Sequence, residues 1–238
     1  MTNRLHIGCS SYYNSNWRGD FYPEEMPRKE WFAYYCQHFS TYEINATFYK
    51  PPTIKTLKTW YEKAPQDFIF AVKAPKLITH IKRFSDCEEA IQDFYASCRE
   101  GLKEKLGPVL FQLPPSFKYT DENFQKVLKN LDGTFQNVVE FRHVSWWNEN
   151  VWKIMEEHKV TFCSVSHPAL SDEVVKTNAL GYFRLHGNPK MFYSSYDTDY
   201  LKKIKNILDQ KKFEKCFVFF NNTASTAGIL NALEMNAL

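Results

Sequence analysis

Charged side chains alternate with apolar ones in the run VEFRHVSWW at residues 139–147. Val139 and Phe141 are typical of a buried strand, yet Glu140 and Arg142 are interleaved with them. Burying a carboxylate or a guanidinium is costly unless the group is paired or hydrogen-bonded. The run therefore predicts that its charged side chains serve an ion-pair network, a bound ligand or both.

Polar residues end at least five other apolar runs in the same way. They are Glu43 and Asn45 in TYEIN, Lys73 at the end of FIFAVK, Gln112 in VLFQLPP, Arg184 and His186 in YFRLHG, and Asn221 and Asn222 in VFFNN. In a barrel of parallel strands, alternate residues point inward and the carboxyl-terminal strand ends meet around one mouth. We therefore expect a single cavity that is faced by Glu43, Asn45, Lys73, Gln112, Glu140, Arg142, Arg184, His186 and Asn222.

General acid–base catalysis is the least specific chemistry that such a set could perform. Glu43 and Glu140 are the candidate bases, and His143 or His186 could deliver a proton, which makes these four the candidate catalytic residues. The candidate ligand-binding residues are Asn45, Lys73, His80, Gln112, Arg142, Trp146, Arg184, Asn221 and Asn222. The sequence does not specify the reaction, since no GxSxG motif marks a nucleophile.

The cations of this set determine which ligand it would attract. Lys73, Arg142 and Arg184 outnumber Glu43 and Glu140, which predicts an anionic, phosphorylated small molecule or a nucleic-acid phosphate as the partner. The same cations would repel a divalent metal, and HxH and HExxH spacings are absent from the sequence, so we expect neither a metal nor another cofactor. The alternative is that the two glutamates pair with the two arginines only to close the top of the fold.

Short apolar runs and amphipathic segments alternate along the chain, and these elements must position the polar set. The predicted strands are residues 5–9, 41–44, 68–72, 109–113, 138–141, 161–165, 181–185 and 216–220, and the predicted helices are residues 28–38, 53–63, 88–102, 120–131, 150–158, 197–210 and 226–233. This alternation predicts a single, compact α/β domain over residues 1–238, a (β/α)8 TIM-type barrel with an irregular connection at residues 166–180 between the sixth and seventh strands. The rival fold, an open doubly wound sheet, lacks support because no GxGxxG or Walker-type loop is present.

Composition excludes several classes of protein. No run approaches the ~20 apolar residues of a membrane span, and the start MTNRLHIGCSS lacks the apolar core of a signal peptide, so we expect a cytoplasmic protein with no membrane partner. The six cysteines contain no CxxC pair and are expected to be reduced. A net charge of +3 does not indicate a general nucleic-acid binder, but it leaves room for a local basic patch.

Aromatic residues are concentrated in the segments that follow several predicted strands. They are Tyr12, Tyr13, Trp17, Phe21 and Tyr22 after the first strand, Phe48 and Tyr49 after the second, and Trp146 and Trp147 after the fifth. Such residues either build small cores under the loops or offer flat surfaces on which bases or sugars stack.

Several motifs together resemble one known family. They are WRGDFYP from Trp17, TYEINATFY from Thr41, QLPP from Gln112, VEFRHVSW from Val139, YFRLHG from Tyr182 and FNN from Phe220, followed by Asn231 and Ala232. In this order they match the family called domain of unknown function 72 over essentially the whole chain. The resemblance implies a TIM-type barrel, and the likeness of that barrel to apurinic-site endonucleases implies DNA binding as an alternative function.

Two positions depart from the pattern of that family. Ser166 stands where the family commonly has Asp at the end of the sixth strand, and Thr223 stands where Asp often follows the asparagine pair. Both residues lack a carboxylate that could have served a metal or acid–base role. The departures therefore add a third interpretation, in which the barrel has lost its catalytic activity.

Overall fold

Parallel β-strands form the centre of the molecule in the computed structural model, which describes residues 5–238. The strands are β1 (Leu5–Cys9), β2 (Thr41–Ile44), β3 (Ile69–Lys73), β4 (Leu106–Leu113), β5 (Asn137–Phe141), β6 (Thr161–Phe162), β7 (Ser164–Ser166), β8 (Leu180–Leu185) and β9 (Lys215–Phe220). One sheet has the order β2-β3-β4-β5-β6 and the other has the order β1-β9-β8-β7, and every pairing is parallel. The fold is therefore α/β with parallel sheets, as the alternation in the sequence predicts.

Helices occupy most connections between strands. They are α1 (Trp31–His38), α2 (Ala46–Tyr49), α3 (Ile54–Lys63), α4 (Glu88–Leu102), α5 (Asp121–Asn130), α6 (Glu149–Glu157), α7 (Thr198–Gln210) and α8 (Ala227–Ala237). Four of them begin after a side chain that accepts a hydrogen bond from a backbone N–H of the first turn, and these caps are Thr53, Thr120, Asn148 and Asp197. The helix predicted from residue 28 begins at Trp31 instead, because Arg28–Glu30 form a 3-10 turn after Pro27. Within residues 5–238, every helix is too short or too polar to cross a bilayer.

Alternate residues of the strands build an inner core that both sheets share. Its buried members are Ala71, Leu110, Val138, Cys163, Val165, Leu180, Tyr182, Phe217 and Phe219. The other faces of the strands pack against the helices in a larger outer core. Since successive strand residues point to opposite faces, the next inward positions after this core carry the polar side chains of the strand ends.

The strands depart from the predicted barrel in two places. The sixth predicted strand is divided at Cys163 into β6, which pairs with β5, and β7, which pairs with β8. Between β1 and β2, no backbone ladder is present in the described part of the chain. There the Tyr35 hydroxyl accepts from the Cys9 N–H at 2.8 Å and donates to the Thr41 carbonyl at 2.9 Å. Residues 167–179 contain neither helix nor strand, which confirms the irregular connection.

Candidate functional site

Arg184 lies at the centre of a buried ionic cluster. Its Nη1 donates to Glu140 Oε2 and its Nη2 donates to Glu43 Oε1, each at 2.7 Å. All three side chains are almost completely buried. Strand β8 supplies the arginine, whereas β2 and β5 of the other sheet supply the glutamates. Because side chains alternate along each strand, residues that are far apart in the sequence reach the same interior.

Glu43 has further donors that occupy both of its oxygens. Asn45 Nδ2 donates to Oε1 at 3.1 Å, and the Tyr182 hydroxyl donates to Oε2 at 2.6 Å. Burial, together with the charge of Glu43, raises the pKa of Tyr182 well above its ordinary value, so the phenol remains a donor. The carboxylate is therefore held in place by three side chains.

Glu140 is equally engaged. Arg142 Nε donates to Oε1 in a short ion pair, and the Cys163 thiol lies 3.8 Å from Oε2. Burial alone would raise the pKa of Glu140, but Arg142, Arg184 and His186 hold that pKa well below its ordinary value. Glu140 is thus ionised at neutral pH, as a base must be, but its lone pairs are already used.

His186 is buried against this cluster. The Asn221 amide nitrogen lies 2.7 Å from Nδ1, and Glu140 Oε1 lies 3.3 Å from Nε2. Donor groups approach both ring nitrogens, because Arg142 Nη2 also lies 3.0 Å from Nε2. Burial lowers the pKa of His186 well below its ordinary value, and the positive charge of the nearby Arg142 lowers it further. The ring is therefore neutral at pH 7.

Two cations of the site, Lys73 and Arg142, have N–H groups that are available to a further acceptor. Lys73 Nζ lies 4.2 Å from the centre of the Phe48 ring, and no carboxylate of residues 5–238 lies within ion-pair distance of it. Burial and the nearby Arg184 lower the pKa of Lys73 to about 8. Arg142 Nη1 has only the Met191 sulfur, at 3.9 Å, as a partner among the described residues. An anion would therefore find unsatisfied N–H groups on both side chains.

Two other histidines belong to the expected site. His80 Nδ1 lies 2.9 Å from the Thr79 hydroxyl, and its ring packs edge-on against Phe48. Burial and the charge of Lys73 lower the pKa of His80 to about 4. His143 Nδ1 accepts from the Ser145 N–H at 3.1 Å and so caps a 3-10 turn, which leaves its Nε2 side for another partner.

Two expected site residues, Trp146 and Gln112, have other partners. Trp146 is fully buried, stacks on Phe141 with ring centres 3.9 Å apart, and donates to the Phe117 carbonyl at 2.7 Å. The expectation that Trp146 contacts a ligand is wrong, because its ring is part of the core. Gln112 is in register with Glu140, but its amide donates to the Leu113 carbonyl at 3.0 Å.

Of the asparagine pair, only Asn221 reaches the cluster. Asn222 is fully buried on the other side of the strand end, where Nδ2 donates to the Ser194 carbonyl at 2.9 Å. The expectation that Asn222 faces the cavity is therefore wrong, and Asn221 takes that place through His186. The reason is that strand β9 ends at Phe220, so the side chains of the next two residues point to opposite sides.

Sequence reasoning missed some members of the site. Tyr182 binds Glu43 and lies two residues before Arg184, so the same period of two could have identified it. Met191 contacts Arg142 from a turn, where the sequence gives no comparable signal. Ser166 accepts at 2.9 Å from the Tyr196 hydroxyl. Thr223 contacts Asn14 only through its backbone carbonyl.

The cluster as a whole suits an anion. Lys73, Arg142 and Arg184 face two carboxylates, so one positive charge is left without a balancing negative charge. Among the described residues, no three His, Cys, Asp or Glu side chains converge as metal ligands would. The arrangement can bind and orient a negatively charged group with charge-assisted hydrogen bonds.

Known proteins resemble the chain in sequence and in structure. The UPF0759 protein YunF of Bacillus subtilis is 29% identical over 151 residues, which are 60% of this chain and 52% of that protein. The UPF0759 protein YecE of Escherichia coli K12 is 30% identical over 110 residues, which are 46% of this chain and 40% of that protein. The matched part thus spans about half or less of the length of these relatives.

Solved structures match over nearly the full length. The DUF72 family protein TM1631 of Thermotoga maritima superimposes with a TM-score of 0.89 at 27% identity, covering 99% of this chain and 98% of that one. The DUF72 family protein EF0366 of Enterococcus faecalis gives a TM-score of 0.82 at 20% identity, covering 98% and 94%, and shows a shared fold. The sequence model described as "Protein of unknown function DUF72" matches residues 6–238, and the chain belongs to this family.

Proposed function

We propose that the chain is a closed (β/α)8 barrel whose mouth binds an anionic, phosphorylated ligand between Lys73 and Arg142. The observation that carries this proposal is a pair of cations with free donors beside a buried ion-pair network in which Glu43 and Glu140 are both engaged. Lys73 has no carboxylate partner within residues 5–238, and Arg142 Nη1 has only a sulfur contact. A phosphate is the group that offsets the cost of keeping such charges partly buried.

Closure of the barrel is supported by the contacts at its two irregular places. The Tyr35 hydroxyl bridges β1 and β2 where a backbone ladder is missing. At the other place, Cys163 continues the chain from β6 to β7, and its N–H donates to the Val139 carbonyl at 2.9 Å. The inner core contains side chains from both sheets, as in barrels whose interior is filled with side chains.

The other residues of the cluster have distinct proposed roles. Arg184, Glu43 and Glu140 fix the geometry of the mouth and hold Arg142 in position. For Glu43 or Glu140 to act as a base, one of these hydrogen bonds must open first. Lys73, whose pKa is lowered by burial to about 8, is better placed to exchange a proton with a bound substrate, and His143 stays a candidate for the same role. Acid–base hydrolase or lyase chemistry would therefore use Lys73 first.

Ligand-dependent melting tests the binding proposal. Inorganic phosphate and a panel of sugar phosphates are expected to raise the melting temperature of the wild-type protein by binding the folded state. Lys73→Met and Arg142→Ala should each remove the effect, whereas Lys153→Met, on the exposed side of α6, should retain it. The same panel assayed for phosphate release or carbon–oxygen bond cleavage tests catalysis. An unchanged melting temperature with every anion would refute the proposal.

A nucleic-acid phosphate presents the same chemistry, and salt dependence distinguishes it. Binding of a DNA duplex should weaken steeply between about 50 mM and 200 mM salt because several counterions are released. A small phosphorylated ligand contacts few charges and should show a shallow salt dependence.

A further inference from the structure

A cleft separate from the ionic cluster around Arg184 lies between helices α1 and α3. It has a volume of about 730 Å³, and its lining includes Arg28, Lys29, Lys55, Lys63, Tyr13 and Trp60. None of its lining residues belongs to the ionic cluster around Arg184. The loop after β1 forms one wall, and the exposed face of α3 forms another.

The charge of this cleft is positive throughout. Its lining contains Arg28, Lys29, Lys55 and Lys63 and no carboxylate. In the part of the chain that the structure describes, none of these four has an ion-pair partner, although Lys58 on the same helix pairs with Glu100 at 3.4 Å. The cleft therefore combines four like charges that repel one another until an anion binds.

Aromatic rings form the other part of the lining. Tyr13 is 53% exposed, and the Tyr12 ring packs edge-on against Trp60 with centres 5.5 Å apart. Phe32 supports Trp60 from the buried side, with ring centres 5.0 Å apart. These contacts hold the rings in fixed positions, so a flat group can stack at low entropic cost.

The spacing of the cations identifies the shape of the anion. Lys55 and Lys63 are eight residues apart on α3, which corresponds to about 12 Å along the axis. Arg28 lies beside the exposed aromatic side of the cleft, with its guanidinium 5.7 Å from the Tyr13 ring centre. The cleft volume is also in the range of small-molecule sites, about 300–1,000 Å³. A ligand that contacts these cations carries several negative charges along the cleft, and a flat ring beside them contacts the aromatic wall.

We propose that this cleft binds a nucleoside diphosphate or triphosphate, with the base against Tyr13 and Trp60 and the phosphates against Lys55, Lys63 and Arg28. Charge complementarity selects the phosphate chain, and the aromatic wall selects the base. This site is independent of the function proposed for the barrel mouth.

Calorimetric titration with ADP, adenosine and tripolyphosphate tests the proposal. ADP is expected to bind at least about tenfold more tightly than adenosine or tripolyphosphate, because only ADP uses both parts of the cleft. The double variant Lys55→Ala/Lys63→Ala should weaken ADP binding by about tenfold or more, and Tyr13→Ala should weaken it by about five- to tenfold. Lys58→Ala is the matched control, because Lys58 is on the same helix outside the cleft, and it should change the affinity less than twofold.

Three outcomes would overturn the proposal. They are the absence of ADP and GDP binding at millimolar concentration, equal binding of ADP and tripolyphosphate, and unchanged ADP binding in the cleft variants. Tight binding of a single-stranded oligonucleotide that the cleft variants lose, without ADP binding, would assign the cleft to a nucleic acid instead. The cleft variants should lose the same ADP binding when they are made in a Lys73→Met background, which separates the cleft from the site at the mouth. All substituted cleft residues are exposed, so melting curves should confirm intact folding.

Discussion

Arg184 and Glu43 belong to different sheets, yet Arg184 Nη2 lies 2.7 Å from Glu43 Oε1. The second guanidinium nitrogen reaches Glu140 on β5 at the same distance. One side chain therefore connects β8 with two strands of the opposite sheet across the interior. This link orients the cluster, and it also makes the fold dependent on Arg184.

Replacement of Arg184 by Met should strongly destabilise the protein. It would leave two buried carboxylates without their shared partner, and breaking a buried pair in this way costs about 3–5 kcal/mol. Arg142→Ala should cost only about 1–2 kcal/mol, because Glu140 retains Arg184. Urea denaturation of both variants measures the two free energies of unfolding. Equal losses would show that Arg142 is as important to the fold as Arg184.

Arg142 should matter more for anion binding than for folding. Sulfate or phosphate is expected to raise the melting temperature of wild type, since Arg142 Nη1 has a donor to offer. Arg142→Ala should abolish this gain, and Arg99→Ala, an exposed arginine 3.9 Å from Asp132, should preserve it. A gain that persists in Arg142→Ala would remove this residue from the proposed site.

Lys73 should make stability depend on pH in the alkaline range. Burial lowers the pKa of the folded-state amine to about 8 from an ordinary 10.5, so the unfolded chain binds more protons between these two values. The contribution of Lys73 to the free energy of unfolding therefore rises with pH between these two pKa values, by up to about 1.4 kcal/mol per pH unit. Lys73→Met should be more stable than wild type at pH 7, by an amount on the order of 2–3 kcal/mol, and the difference should shrink towards pH 10.5.

The measurement for Lys73 is a series of urea titrations from about pH 7 to about pH 10 on wild type and Lys73→Met, which covers most of the window set by the two pKa values. Saturating phosphate should move the window to higher pH in the wild-type protein, because an anion stabilises the charged amine. A constant difference between the two proteins across the series would contradict the lowered pKa of Lys73.

His186 should contribute to unfolding in mild acid. Burial and Arg142 place its folded-state pKa well below the ordinary 6.5, so the unfolded chain binds the extra proton as the pH falls below 6.5. Stability is then lost with falling pH by up to about 1.4 kcal/mol per unit. His186→Gln should reduce this slope, whereas His158→Gln, at the exposed end of α6, should not. Identical slopes in wild type and His186→Gln between about pH 6.5 and about pH 5 would contradict the prediction.

Much of this architecture is determined locally and could be predicted from the sequence. Interactions between near neighbours in the chain determine the apolar runs, the caps at Thr53, Thr120, Asn148 and Asp197, and the irregular residues 167–179. The period of two along a strand is also local, so the pattern of residues alone assigns Glu43, Glu140 and Arg184 to inward faces.

The partners of those side chains were decided only by the tertiary structure. Strand register sets whether Arg184 meets one glutamate or two, and that register depends on residues far apart in the sequence. The positions of Trp146 and Asn222 lie beyond the last strand residue, where the alternation ends and a turn directs each side chain. The lowered pKa of Lys73 likewise follows from burial and the nearby Arg184, which come together only when β3 and β8 pack around one interior.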